Sequence, residues 1–302
     1  MALGISMKKV LVIVGPTASG KTSVGVECAK KFNGEVISGD SIQIYKKLDI
    51  GSAKITEKEK QNIVHHLIDI KEPDENYSVM EFQKIGRELI EKISSEGKLP
   101  IVVGGTGLYI KALLFDYEFY NEEQQDNEYN ELSNKQIYEI LMEKDPKCLE
   151  KIHINNRKRL VRALNVLEKH GKGISQIVQQ QKHELLYDAK IVGIQKDRDE
   201  LYQQINSRVD GMFDSGLFEE VEKLVNSGIT FDNQSMQGIG YREFKGFFEG
   251  SSSLYDVKEQ IKKDTRHFAK RQMTWFNNQM DVEWHKDTNS LMESIVKWLY
   301  NQ

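Results

Sequence analysis

The feature that most constrains this chain is a run of eight residues. Gly15, Pro16, Thr17, Ala18, Ser19, Gly20, Lys21 and Thr22 satisfy the pattern G-x-x-x-x-G-K-[ST] in full. The preceding stretch, Lys9 to Val14, is apolar beyond its first residue and reads as a buried parallel strand, and helical periodicity resumes near Thr22. In that setting the pattern is a P-loop. Its glycines let the backbone curl so that successive amides face inward, the helix N-terminus adds its positive end, and Lys21 supplies a point charge. Such a loop holds two linked phosphates. The Thr22 hydroxyl suits Mg²⁺, a hard cation that prefers oxygen ligands and bridges phosphate oxygens. Two chemistries stay open at this point: a kinase or NTPase that breaks the terminal anhydride, and a transferase whose leaving group is the diphosphate.

Further short apolar strands are predicted at Glu35 to Ser38, His66 to Ile70, Leu99 to Val103 and Lys190 to Ile194, with helical stretches such as Val79 to Ser94 between them. Alternation of this kind gives a mostly parallel sheet covered on both faces, an α/β core of the P-loop-containing nucleoside triphosphate hydrolase type. Between Glu118 and His183 strand signals vanish, charge rises, and Asn134 to Glu168 carries helical spacing. The expected division is therefore a catalytic core over 1–117 and 184–302, interrupted by a helical insertion domain over 118–183. One strand returns after it, and the last third is helical through Gly216 to Leu224 and Val257 to Asn277.

Composition excludes several classes. At 302 residues and 39% hydrophobic the chain buries a sizeable core, yet no run of about 18 apolar residues exists to span a membrane. The N-terminus has no signal-peptide core, and Met1 to Ser6 read as a leader before a start at Met7. Cys28 and Cys148 are isolated and match no metal-ligand spacing, so no zinc module is encoded and a reducing cytoplasm is expected. A net charge of -4 argues against a polyanion partner. The charge is uneven, however: Arg157, Lys158, Arg159 and Arg162 cluster, Lys258, Lys262, Lys263, Arg266, Lys270 and Arg271 recur on a second helical stretch, and acid gathers at Glu118 to Glu131. Basic runs standing alone are ordinarily solvated helix faces. Adjacent His65 and His66 point to opposite faces of a strand and read as structural, while Trp275, Phe276 and Trp298 read as core.

After the second strand come Ser38, Gly39, Asp40, Ser41, Ile42, Gln43, Ile44 and Tyr45. In an open parallel sheet this is the C-terminal edge of the strands, close to the P-loop, where ligands bind. Asp40 is thereby placed at the reaction centre, although a small-molecule kinase also uses an Asp here and an Asp also caps turns. The run Asp40 to Tyr45, coming after the P-loop, resembles the bacterial tRNA dimethylallyltransferase (tRNA isopentenyltransferase, IPP transferase) family. The likeness continues through Gly51 to Lys54, His65 to Asp69, Gly104 to Tyr109, Arg159 to Val166, Gly238 to Arg242 and Thr265 to Phe276. It runs in order over nearly the whole chain. Ser52 stands where family members often have Thr, Asn165 where they often have Glu, and Tyr120 to Leu132 matches poorly.

The resemblance implies transfer of a dimethylallyl group from dimethylallyl diphosphate to the exocyclic amine of the adenosine 3′-adjacent to the anticodon, in tRNAs reading codons that begin with U. By the same resemblance Gly15 to Thr22 binds the diphosphate of that substrate in place of ATP, with Mg²⁺ at Thr22. Asp40 is the general base, Thr106 helps place the base, and Arg208 looks like the family's diphosphate-clamping arginine, so that Asp40, Lys21, Thr106 and Arg208 form the catalytic set. Contacts to the flipped nucleotide and the anticodon stem-loop fall on Asp40, Ser41, Ile42, Gln43 and Thr106, on Lys158, Arg159, Leu160, Val161 and Arg162, and on Gly238, Ile239, Gly240, Tyr241, Arg242 and Glu243. No membrane and no obligate protein partner are implied, and nothing demands more than a monomer.

The chemistry is coherent without the family. An adenine amine is a poor nucleophile whose proton turns acidic once the carbon–nitrogen bond begins to form, so an ordinary carboxylate suffices as a late base. The target base must leave its stack to reach a cleft, which gives basic helices a purpose in gripping phosphates. A P-loop kinase leaves the basic insertion and the Gly104 to Tyr109 run unexplained, and a nonenzymatic RNA-binding protein has no need of Lys21, Thr22 and Asp40 in one pocket.

Overall fold

The computed structural model describes residues 7–117, 119, 129, 131–180 and 184–300. The expected leader at 1–6, the expected boundaries at 118 and 183, and most of the acidic, poorly matching tract at 118–132 lie outside the described residues. The chain divides into two compact units, Met1–Leu114 with Leu185–Gln302, and Phe115–Glu184.

The first unit begins with β1 (Lys9–Val14), the glycine loop and α1 (Lys21–Lys31), followed by β2 (Gly34–Ser38), the single turn α2 (Glu57–Lys60), β3 (His65–His66), α3 (Val79–Ser95), β4 (Leu99–Gly104) and α4 (Gly107–Leu114). The second unit holds α5 (Asn134–Lys144), a 3-10 turn at Pro146–Glu150, α6 (Arg157–His170) and α7 (Ile174–Gln180). The first unit then resumes with β5 (Asp188–Ile194), α8 (Arg198–Asp214), α9 (Leu217–Asn226), α10 (Lys245–Phe248), α11 (Leu254–Gln279), β6 (Glu283–His285) and α12 (Thr288–Tyr300).

The six strands lie in the order β3-β2-β4-β1-β5-β6, and the paired strands run parallel. β1 is central because Val10 to Val14 are all fully buried, so both of its faces require cover. One face packs Leu11 and Ile13 with Val24, Cys28 and Ala29 of α1 and with Leu291, Met292 and Ile295 of α12. The far side carries Phe82 of α3 stacked on Tyr109 of α4, ring centroids 4.6 Å apart. Each such burial stabilises by roughly 1.5–3 kcal/mol. The chain leaves β1 toward β2 on one side, while β5 pairs on the other. That divergence opens a crevice at the C-terminal edge above β1, the usual ligand position in such sheets. α3 is fixed by a capping box, in which Ser78 Oγ accepts from the Glu81 amide and the Glu81 carboxylate accepts from the Ser78 amide.

Three expectations are corrected. The strand expected at His66 to Ile70 is only His65–His66, because Leu67 and Asp69 have positive φ (62° and 55°) and turn the chain out of the sheet. The helical spacing over Asn134 to Glu168 is split into α5 and α6 at Asp145, whose successor Pro146 cannot continue a helix. β6, three residues with polar ends and no apolar run, lacks a strand signal in the sequence; it pairs with Val192 to Ile194. The insertion has a small core of its own, in which Ile137, Leu141, Leu160 and Leu164 are fully buried.

Candidate functional site

The loop after β1 curls as the glycine pattern requires: Ala18 and Gly20 take positive φ (63° and 89°), and Gly20 caps the N-terminus of α1. Lys21 Nζ donates to the Pro16 carbonyl at 3.1 Å. Burial, reinforced by the neighbouring Arg208 cation and partly offset by Asp40, lowers the Lys21 pKa to about 8. Ser19 Oγ, in the same loop, is buried and has no hydrogen-bond partner among the described residues.

The loop after β2 places Asp40. Its Oδ1 accepts from the amides of Ile42 (2.8 Å) and Gln43 (3.1 Å), an Asx-type turn that fixes the carboxylate and directs both bonds to one oxygen. Gln43 Nε2 then donates to the carbonyls of Ser52 (3.2 Å) and Ala53 (3.3 Å). The turn after β4 comes against Gly39 so closely that a Cβ on Gly104 would stand 2.6 Å from the Gly39 carbonyl oxygen, which is why a glycine is needed there. Thr106 opens α4, its carbonyl accepting from the amides of Tyr109 and Ile110.

These loops enclose one cavity of about 90 Å³ whose wall includes Lys21, Thr22, Asp40 and Arg208 on its polar side and Val36, Ile55 and Ile68 on its apolar side. A second cavity of about 120 Å³ shares Asp40 and Arg208 and adds Ser41, Ile42, Thr106 and Ile239. A third, of about 160 Å³, lies along Lys21, Thr22 and Glu59. Arg208 and Ala53 line all three. Burial pulls the Arg208 guanidinium below its ordinary pKa while Glu59 and Asp40 draw it back up, and an arginine stays charged regardless. Two helices supply the roof at helical spacing: Ile205, Arg208, Val209 and Met212 from α8, and Ile261, Thr265, Phe268 and Gln272 from α11. The strand-loop-helix cradle, the parallel sheet and the carboxylate beside the cradle define a P-loop α/β protein.

A sequence profile described as IPP transferase matches residues 43–279. The chain belongs to that family. It is 48% identical to a tRNA dimethylallyltransferase of Bacillus cereus over 97% of this chain and 94% of the relative, and 46% identical to one from Anoxybacillus flavithermus over 93% and 91%. Among solved structures it is similar to a tRNA delta(2)-isopentenylpyrophosphate transferase from Staphylococcus epidermidis, at 42% identity and a TM-score of 0.73 over 97% of this chain and 99% of that one. A eukaryotic dimethylallyltransferase described as acting on tRNA aligns at 30% identity with a TM-score of 0.85, over 98% of this chain and 80% of that one.

Several expected contacts change character. Leu160 is fully buried in the core of the insertion, so its side chain supports α6 and cannot meet a nucleic acid, and Val161 packs half-buried against the same cluster. Lys158, Arg159 and Arg162 are exposed, whereas Arg157 is spent on the carbonyls of Leu132 and Tyr129. Tyr241 is fully buried and the Glu243 carboxylate, 2% exposed, accepts from the Gly240 amide; of this stretch Ile239 and Gly240 line a cavity. Gly238 packs on Ile42, and Arg242 pairs with Glu243 (2.9 Å) and Asp264 (3.2 Å). Half of the basic run on α11 is turned inward: Lys258 and Lys262 share Asp210 at 2.6 and 2.9 Å, and Arg266 donates to Asn206, because i, i+4 spacing turns them toward α8. Lys263, Lys270 and Arg271 remain exposed.

Sequence reasoning missed Gln272. It is 6% exposed, its Oε1 accepts from the Thr17 amide (2.9 Å), and its Nε2 donates to the Gly105 carbonyl (3.0 Å), which pins the P-loop to the turn after β4. The signal available was an amide at helical spacing from Thr265 and Phe268 on an otherwise apolar stripe. His65 also lines the first cavity, while His66 bonds Glu35 at 2.7 Å; burial lowers the pKa of His65, as suits a neutral wall. Both thiols are buried and pushed up, Cys28 to about 12 and Cys148 to about 11, so neither is a nucleophile.

Proposed function

We propose that this chain transfers the dimethylallyl group of dimethylallyl diphosphate to the exocyclic amine of the adenosine 3′-adjacent to the anticodon, in tRNAs that read codons beginning with U, and releases diphosphate. The observation that carries this is the shared cavity: the P-loop residues Lys21 and Thr22, the Arg208 cation and the Asp40 carboxylate face a space whose mixed wall also includes the apolar side chains of Val36, Ile55, Ile68, Val103 and Phe268. A five-carbon hydrocarbon attached to a diphosphate needs such apolar contact beside the cradle. The names of the relatives favour the same reading over a kinase.

In this reading the amides of Gly15 to Thr22 and Lys21 take the diphosphate, and Arg208 clamps it from α8. Negative charge grows on the leaving oxygen as the allylic carbon departs, so each of these fixed donors acts more strongly on the transition state than on the ground state; losing one costs roughly 3 kcal/mol of barrier. Asp40, held by two amides through Oδ1, has Oδ2 left to orient the amine and to take its proton as the new bond forms. Thr106, Ser41, Ile42 and Ile239 wall the adjoining cavity in which the extruded adenine is received. The Thr22 hydroxyl, in the cavity wall beside Lys21, is a hard oxygen that fits Mg²⁺, and among the described residues no cluster of three His, Cys, Asp or Glu forms an all-protein metal cage. When bound, the ion neutralises charge on the departing diphosphate. Lys158, Arg159 and Arg162 on α6 hold tRNA phosphates.

The test is direct. Full-length protein with dimethylallyl diphosphate, Mg²⁺ and unmodified tRNA is expected to yield, by mass spectrometry of the digested RNA, an adenosine heavier by one dimethylallyl group. Absence of that nucleoside, together with consumption of ATP in a parallel reaction supplied with it, would replace the reading with a kinase.

A further inference from the structure

Four consecutive amides of the loop between β2 and α2 are captured by two side chains that lie outside the catalytic cavities. The Glu220 carboxylate on α9 accepts from Asp49 (3.0 Å) and Ile50 (2.8 Å) through Oε2 and from Gly51 (3.1 Å) through Oε1. The next amide, that of Ser52, donates to the phenol oxygen of Tyr241 at 3.1 Å, and the Tyr241 hydroxyl donates in turn to Glu220 Oε1 at 2.7 Å. A single carboxylate receiving three loop amides and a phenol is a strong, charge-assisted anchor, of the kind successive N–H groups form around an anion.

The packing around it is just as constrained. Gly51 lies on the Tyr241 ring, where an added Cβ would stand 2.5 Å from Cζ, and a Cβ on Gly240 would stand 3.0 Å from the Gly51 carbonyl oxygen. Tyr241 itself is fully buried, and burial together with Glu220 raises its pKa well above the ordinary value, so it stays a neutral donor. The loop thus clamped continues directly into the site. Ser52 and Ala53 line the cavity that holds Asp40 and Lys21, and their carbonyls are the acceptors for Gln43 Nε2, whose own amide donates to Asp40 Oδ1. Ala53 also walls each of the three cavities that meet at Arg208.

We infer that Glu220 and Tyr241 are positioning residues for the transfer reaction: by fixing the amides of residues 49–52 they set the placement of Ser52, Ala53 and Gln43, and through Gln43 the aim of the Asp40 carboxylate. This rests on the reading of Asp40 and the P-loop given above. Neither residue touches a substrate in this scheme. The P-loop stands apart from the clamp, since none of its residues bonds to the loop at 49–52 in this hydrogen-bond chain. Loss of the clamp therefore misaims the base and leaves the phosphate grip intact, and a misplacement of about 1 Å at a reacting group costs on the order of 10²-fold in rate.

The experiment compares wild-type protein with Glu220→Ala, Glu220→Gln and Tyr241→Phe in the tRNA prenylation assay, alongside direct binding of dimethylallyl diphosphate and a melting curve. Wild-type activity tests the functional reading by itself: no transfer by the wild type removes that reading and this inference with it. With wild-type transfer in hand, Glu220→Ala is expected to lower kcat by about 10²-fold while the diphosphate dissociation constant changes less than threefold. Glu220→Gln keeps the shape and one acceptor oxygen and should recover part of the loss. Tyr241→Phe keeps the ring and removes only the oxygen, so it provides the same test if Glu220→Ala fails to fold, with a smaller loss of kcat. Combining Glu220→Ala with Tyr241→Phe should be no worse than Glu220→Ala alone, because the two act as one unit. An unchanged kcat, a loss that merely follows the unfolded fraction, or an equal loss of diphosphate affinity overturns the inference.

Discussion

In the proposed reaction, Lys21 sets the pH response of the diphosphate grip. Its pKa is lowered to about 8, chiefly by burial, so the cation is fully present only below that value and is lost as pH rises through it. Affinity for dimethylallyl diphosphate, followed by kcat/KM against pH, is expected to be flat on the acid side and to decline above about pH 8, with Lys21→Arg shifting the decline upward. Asp40 carries the opposite kind of test. Asp40→Asn keeps an oxygen for the Ile42 and Gln43 amides but cannot take a proton, so turnover should fall roughly 10²- to 10⁴-fold with diphosphate and tRNA affinity retained. At this scale the P-loop and Asp40 were legible because their spacing is dictated by phosphate geometry and by the edge of the sheet. Gln272 and Glu220 were not, since nothing in a helical glutamine or glutamate announces that its partners lie 255 or about 170 positions away in the chain.

Among the elements, α11 has the widest reach, for its face through Ile261, Thr265, Phe268 and Gln272 roofs the cavity while its Lys258 and Lys262 lock onto Asp210 of α8. Gln272→Leu removes both the acceptor for Thr17 and the donor for Gly105, leaving the buried Gly105 carbonyl unpaired at about 1–3 kcal/mol and the half-buried Thr17 amide at less. Calorimetry should show a lower melting temperature, and binding assays a weaker grip on diphosphate; an unaltered affinity would mean that the P-loop holds its form without that tie. The long periodic helices were readable in advance from their apolar stripes. The short pieces were not: β3 stops after His66 through positive φ at Leu67, and β6 owes its existence to the edge of β5 more than to its own Glu283, Trp284 and His285. Basic runs misled for a related reason, since a helix wheel shows which residues share a face but not whether an acidic helix lies against it.

Over the whole molecule, net charge of -4 conceals a difference between a core that carries the P-loop and an insertion whose α6 presents Lys158 and Arg159 to solvent. Reversing the charge of both should weaken tRNA binding and reduce the slope of log affinity against log salt by close to one unit for each phosphate no longer neutralised; an unchanged slope would show that α6 does not touch the RNA. The parallel sheet and its crevice above β1 explain why phosphate grip and carboxylate converge, as the loops after β1, β2 and β4 all open on one edge. The central claim is that the bond broken is the one between the allylic carbon and the diphosphate. Dimethylallyl diphosphate carrying heavy oxygen at its bridging position tests it most directly. The account predicts that after turnover with tRNA the label leaves in diphosphate and the RNA gains the unlabelled hydrocarbon; label retained in dimethylallyl alcohol or its monophosphate would show phosphoryl transfer and contradict it.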